Sequence, residues 1–271
     1  MADGVSSLAV AQFAPTDQVE LNLSAMLDLA TVAAARGASL VVFPEYSSYF
    51  TPEAGQDWLD AAQPLDGEFV QGLAQIAKHL RIHLVAGMLE QVPGDASHAS
   101  NTLVAVSPAG SVVALYRKTH LYDAFGQRES DWIRAGELVA PQTFPWAGFT
   151  VGLQTCYDIR FPEVTRQIVD AGANLVLVPA EWVRGPLKEQ HWRTLVTARA
   201  IENTIYLAAA DHAPPIGAGN SMIVDPMGVE LATIGEETAV AVADARPARV
   251  QEVRALNPAL ALRRFGVVPR S

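Results

Sequence analysis

The chain has 271 residues, 50% of them hydrophobic and 18% charged, enough to bury a large core in a single domain spanning 1–271. Its 19 Lys and Arg against 29 Asp and Glu leave a net charge of −10 with no basic cluster, which argues against a nucleic-acid partner. Apolar stretches such as Leu175 to Pro179 end far short of the roughly 20 residues a membrane span needs. Met1-Ala2-Asp3-Gly4 lacks the basic patch and apolar run of a signal peptide, so the sequence reads as a soluble cytoplasmic protein.

In chain order, strand-like and helix-like segments alternate, the signature of a layered α/β architecture. Leu8 to Phe13 reads as a buried strand, and Leu23, Met26, Leu27, Ala30, Ala33 and Ala34 recur at helical spacing. Leu40 to Phe43 is a second strand, stopped by Pro44. Phe69, Leu73, Ile76 and Leu80 mark an amphipathic helix, followed by strands at His83 to Met88, Thr102 to Val106 and Val112 to Tyr116, the last two joined by the Ser107-Pro108-Ala109-Gly110 turn. Beyond lie a strand from Phe149 to Thr155, a helix from Phe161 with Pro162 in its first turn, and a strand from Leu175 to Val178. A helix from His191 to Asn203, a strand from Tyr206 to Ala210 and short strands around Met222 to Val224 and Val240 to Val242 follow, while the tail from Gln251 carries no clear period. The stretch Gly37-Ala38-Ser39-Leu40-Val41-Val42-Phe43-Pro44 aligns with Gly172-Ala173-Asn174-Leu175-Val176-Leu177-Val178-Pro179, half a chain away, consistent with two equivalent halves.

Cys156 is the only cysteine, which excludes an intramolecular disulfide and a Cys-rich zinc site and leaves it either a small core hydrophobe or a reagent. Its position favours the reagent. Glu45, Lys118 and Cys156 each follow a predicted strand, at the carboxyl edge where open α/β sheets bind ligands. A cysteine nucleophile needs a base, and a nearby cation or helix N-terminus to favour its thiolate; Glu45, Lys118 and the helix near Phe161 can supply them. A Cys-His pair using His120 or His191 stays open on residue type alone. No Gly-x-Ser-x-Gly elbow, Walker loop or dinucleotide fingerprint occurs. His79 and His83 straddle a predicted helix end and read as ordinary histidines, not metal ligands. Tyr49, Glu181 and Trp182 follow strand ends and can wall a pocket, or simply pack, and Asp158 with Arg160 reads as a structural ion pair at a helix start.

Three blocks in order resemble the nitrilase superfamily of carbon-nitrogen hydrolases: Phe43-Pro44-Glu45, Tyr116-Arg117-Lys118-Thr119-His120-Leu121-Tyr122, and Cys156-Tyr157-Asp158-Ile159-Arg160-Phe161-Pro162-Glu163. The segments 198–203 and 221–228 are further family-like stretches, so the likeness covers nearly the whole chain. Gln154-Thr155 precede the cysteine where many relatives carry Gly-Ile. The resemblance implies an α/β, four-layer α-β-β-α sandwich of two mixed sheets with internal pseudo-twofold symmetry, assembled as a homodimer through its helical faces. It implies Glu45 as general base, Lys118 as oxyanion partner, Cys156 as nucleophile, Glu129 as the acid that holds the lysine, and the Tyr157 backbone N–H as a second oxyanion donor, with no metal and no organic cofactor.

The expected reaction is hydrolysis of a small amide, a carboxylate-bearing ω-amide of the deaminated-glutathione kind, releasing ammonia and a carboxylate through a cysteine thioester. The Cys-Tyr-Asp-x-Arg-Phe block is similar to the branch holding ω-amidases and deaminated-glutathione amidases. An N-carbamoyl amine, an aliphatic amide or a nitrile is the alternative substrate, and an idle binding protein on the same fold the alternative class.

Overall fold

The structure is a computed structural model and describes residues 4–268. Strands β1 (Ser6–Gln12), β2 (Ala38–Val42), β3 (His83–Gln91), β4 (Ala99–Val106) and β5 (Val112–Arg117) form one six-stranded sheet with β12 (Ala239–Ala245), in the order β12-β1-β2-β3-β4-β5. Strands β6 (Thr143–Trp146), β7 (Phe149–Leu153), β8 (Leu175–Pro179), β9 (Tyr206–Ala210), β10 (Met222–Val224) and β11 (Glu230–Thr233) form the second, in the order β11-β10-β9-β8-β7-β6. In each sheet the three central strands run parallel (β1, β2, β3 and β7, β8, β9) and the flanking pairings are antiparallel. Strands β1 to β5 of the first sheet thus correspond to β7 to β11 of the second, and β12 to β6, the twofold relation with which the 37–44 and 172–179 repeat is consistent, β2 and β8 being its matched strands.

The apolar runs have a physical cause: both faces of each central strand are covered. Along β1, Leu8 and Val10 face the inter-sheet core with Leu40, Val42, Leu175 and Leu177, whereas Ala9 and Ala11 turn outward. The outward face packs on α1 (Val19–Ala35) and α3 (Glu68–Leu80) through Met26, Ala30, Phe69 and Leu73. On the second sheet, α4 (Pro162–Asp170) and α5 (Lys188–Asn203) cover Val176, Val178, Leu207 and Ala209 with Ile168, Trp192 and Val196. The result is α-β-β-α layering. A short α2 (Gln56–Ala61) and a terminal α6 (Pro247–Leu256) complete the chain.

Several boundaries differ from the sequence reading. The strand before Cys156 stops at Leu153; Gln154 and Thr155 beyond it are buried, Gln154 N–H making a last bond to Leu177 O at 3.1 Å. The helix preceding Asn203 starts at Lys188 rather than His191, and part of the unassigned tail is α6. No helix among the described residues is long and apolar enough to cross a membrane.

Candidate active site

Glu45 sits where β2 leaves the sheet. Strand β3 passes it at backbone distance: Gly87 N–H donates to Pro44 O at 3.0 Å, and a Cβ on Gly87 would lie 2.6 Å from Glu45 Cα, so only glycine fits there. Lys118 is the first residue beyond β5, its N–H held by Asn101 O of β4 at 2.9 Å. Its buried ammonium donates to Glu45 Oε1 at 2.9 Å and to both oxygens of Glu129 at 3.0 and 2.8 Å. One cation therefore holds two carboxylates. Glu129, in a short 3-10 turn, also accepts from Tyr46 OH (2.5 Å), Asn101 Nδ2 (3.1 Å) and Tyr122 N–H (2.6 Å). Glu45 shares the Asn101 amide (2.6 Å), and its main-chain oxygen accepts from the ring of buried His212 at 2.6 Å.

Cys156 opens a 3-10 turn with φ +41°, a left-handed conformation that non-glycine residues hold only where the surroundings enforce it. Its thiol donates to Glu181 O at 3.4 Å, while Glu181 N–H donates to Glu45 Oε2 at 2.6 Å. The Cys156 thiol and the Glu45 carboxyl are thus both anchored on the backbone of Glu181, the residue two beyond the end of β8.

The charges in this site are unequal. Burial pushes Glu45 up, more than Lys118 and Asn101 pull it down. Glu129 ends below the usual range: burial raises it, but the Lys118 charge and its hydrogen bonds prevail. Burial disfavours the Lys118 ammonium, yet Glu129 and Glu45 hold its pKa well above the ordinary lysine value. Lys118 and Glu129 therefore form the standing ion pair, while the Glu45 carboxyl is pushed above its ordinary range, a separation of two acids of the kind acid–base sites use. Burial and the Glu45 charge push the Cys156 thiol well up, outweighing Lys118. That direction agrees with a thiol whose proton needs a base, the part the sequence reading gives to Glu45.

Asp158 also departs from the sequence reading. It does not pair with Arg160. Instead Oδ1 accepts from Thr119 OH (3.1 Å), His120 N–H (3.1 Å) and His120 Nδ1 (2.8 Å), and Oδ2 from Tyr116 OH (2.7 Å) and Thr155 N–H (3.2 Å). A fully buried carboxylate thus ties the residues flanking Lys118 to the turn that carries Cys156. Replacing Asp158 by Ala strands these donors, and we expect a loss of about 3 kcal/mol or more by urea denaturation, with a lowered kcat because the two segments lose their common anchor; a variant as stable and active as wild type would refute this account.

The Cys-His alternative does not form. His120 is held by Asp158 and stacks on Phe161 at 3.8 Å between centroids, and His191 Nδ1 lies 3.4 Å from Arg160 Nη2. His83 stacks on Phe144 instead of joining His79, and no group of three or more metal-ligating side chains is found among the described residues.

Glu45, Lys118, Glu129, Cys156, Tyr157, Glu181 and Trp182 all line one cavity of about 110 Å³. That size admits a small acyl group, not a folded chain. Tyr49 stands outside it, its OH donating to Asp57 Oδ2 at 3.0 Å; Tyr46 and Phe50 take the wall position. A larger cavity, about 530 Å³ and bordered by Glu90, Arg117, Arg134 and Glu163, contains none of the reactive set. Sequence reasoning missed Tyr46, Asn101, His212 and Lys188. Asn101 sits in a polar Ser100-Asn101-Thr102 stretch at the start of β4, which does not single it out.

A family model described as carbon-nitrogen hydrolase matches residues 7–255. A deaminated glutathione amidase from Escherichia coli O157:H7 is 41% identical over 258 residues, 95% of this chain and 97% of that protein. The C. elegans NitFhit protein superposes with a TM-score of 0.87 at 30% identity, covering 97% of this chain; this chain spans 66% of that longer one. An amidase from Nesterenkonia sp. AN1 superposes with a TM-score of 0.76 at 30% identity, covering 95% of this chain and 100% of that one, and there acrylamide has added to the active-site cysteine.

Proposed function

The chain belongs to the carbon-nitrogen hydrolase family, and on that premise we propose that it hydrolyses a small carboxylate-bearing amide through Glu45, Lys118 and Cys156, with Glu129 fixing the lysine. The observation that carries this is the anchoring of the Cys156 thiol and the Glu45 carboxylate on the same residue, Glu181, beside an ammonium that both acids share.

Glu45 takes the thiol proton as sulfur attacks the amide carbon, and the C=O pair moves onto oxygen. The Lys118 ammonium and the Tyr157 N–H receive that oxyanion. Collapse expels the nitrogen with the proton returned by Glu45, as ammonia from a primary amide or an amine from a secondary one, leaving a Cys156 thioester. Glu45 then deprotonates water, which cleaves the thioester and restores the thiol. Every step uses groups of this chain.

Glu45→Gln preserves shape but removes the proton acceptor. We expect kcat/KM to fall about 10²–10⁴-fold, read as ammonia or amine release from a panel of ω-amides, carbamoyl amines and nitriles. Wild-type turnover by this variant would remove Glu45 as the base. No turnover by wild type on any of these, with no acyl adduct on Cys156, would return the chain to an idle binding protein.

The same reading includes one domain over 1–271, a cytoplasmic setting and a homodimer. Exposed Ile201 on α5 and Leu256 at the end of α6 offer apolar contact for a second copy, and sedimentation of the purified protein decides the assembly.

A further inference from the structure

Lys188 is the first residue of α5, follows Leu187 in a left-handed conformation, and is 7% exposed. Every local rule opposes an ammonium there. The N-terminal end of a helix repels cations, burial disfavours the charge, and the nearby Arg160 guanidinium adds like-charge repulsion, so that its pKa is lowered. Its only hydrogen-bond acceptor is the neutral Tyr122 hydroxyl at 2.6 Å. Among the described residues no carboxylate pairs with it, although it lies 4.9, 4.2 and 5.5 Å from the ring centroids of Tyr122, Phe125 and Trp182. Arg160 is similarly unmatched: its buried Nε has no partner, and its guanidinium lies 4.8 Å from the Trp182 ring. Of the other cations lining the cavity, Lys118 is held by Glu45 and Glu129, and Arg128 pairs with Asp131 at 3.3 Å.

A buried cation without a counter-ion is destabilising, and such a group is retained where a ligand completes it. Lys188 lines the same small cavity as Cys156, so a ligand that completes it is bound there with its amide at the sulfur. We propose that Lys188 is the specificity-determining residue that receives the distal carboxylate of the substrate, with Arg160 adding positive potential behind Trp182. This rests on the amidase reading above and adds the residue that selects an ω-amide acid over a neutral amide. The aromatic rings exclude water around the pair, which strengthens the contact and makes it selective.

The test compares glutaramate with its methyl ester, which keeps the amide and the chain length but removes the charge. In wild type we expect kcat/KM for the acid to exceed that for the ester by about tenfold or more, the worth of a hydrogen bond between charged groups. In Lys188→Gln the acid/ester ratio should collapse toward one, mainly through KM, and Lys188→Arg should recover most of it. A wild-type ratio near one, or a Lys188→Gln protein that keeps the preference, would overturn the proposal; the wild-type comparison stands even if the variant fails to fold. Calorimetric binding of glutaramate against its methyl ester to the Cys156→Ala protein is independent of turnover. Loss of amidase activity on every substrate would sink the amidase reading, whereas equal binding of glutaramate and its methyl ester would sink the role of Lys188.

Discussion

A Cys156→Ala protein folds like wild type and loses hydrolysis of every amide, by a factor on the order of 10⁴–10⁶. The sulfur makes one hydrogen bond, 3.4 Å to Glu181 O, and its removal deletes little packing, so the stability change should stay under about 1 kcal/mol. The activity loss is large because no other group in the cavity can form the acyl bond. Cys156→Ser sharpens the point: a hydroxyl can keep the contact to Glu181, yet it is a far weaker acid than a thiol already pushed up by burial and Glu45, so this variant should also be inactive. Intact mass after treatment with fluoroacetamide should show one adduct on wild type and none on either variant, since the chain has one cysteine. Residual turnover near wild-type rate in Cys156→Ala would end the thioester scheme.

The alternation of elements was legible because burial on both faces turns the central strands into uninterrupted apolar runs, and the 37–44 and 172–179 match is the local trace of the internal symmetry. The edges were not legible. Strand β6 contains Pro145, tolerated at a sheet edge, and β11 reads Glu-Leu-Ala-Thr with mostly exposed side chains, so neither carries a strand-like pattern. Helix α6 buries only Val250 and Val253 and leaves no clear stripe. Glu45, Lys118 and Cys156 could be read because reactive residues stood at strand ends. Tyr46, Asn101 and His212 could not, because each acts across the fold: Asn101 reaches the two acids only because β4 lies beside β5, and His212 reaches Glu45 only because the two sheets stack. Lys188 lies ahead of the helix expected from His191 and carries no local signal; its meaning comes from the rings folded around it and the carboxylate it lacks among the described residues.

Lys118→Met should be the most damaging single change, affecting stability and chemistry together. It leaves Glu45 and Glu129 buried beside each other without their cation, which costs about 3–5 kcal/mol at neutral pH. The pH dependence fixes the cause. In wild type the raised Lys118 pKa contributes stability that is complete below the unfolded lysine value and lost as pH rises through the folded one. The depressed Glu129 pKa contributes stability present above the unfolded carboxylate value and lost as pH falls through the folded one. Without the ammonium both carboxyls are raised by burial and by each other, so the variant is stabilised by their protonation. Its deficit against wild type, from urea midpoints, should therefore shrink from pH 7.5 to pH 5, about two and a half pH units toward the carboxylate range. Pairing Lys118→Met with Glu129→Gln removes one stranded charge and should recover part of the stability. It should not recover catalysis, because the oxyanion has still lost a donor worth about 10²–10³ in kcat. Recovery of both together would mean that Lys118 serves only to neutralise the acids; recovery of stability alone separates its structural role from its part in the reaction.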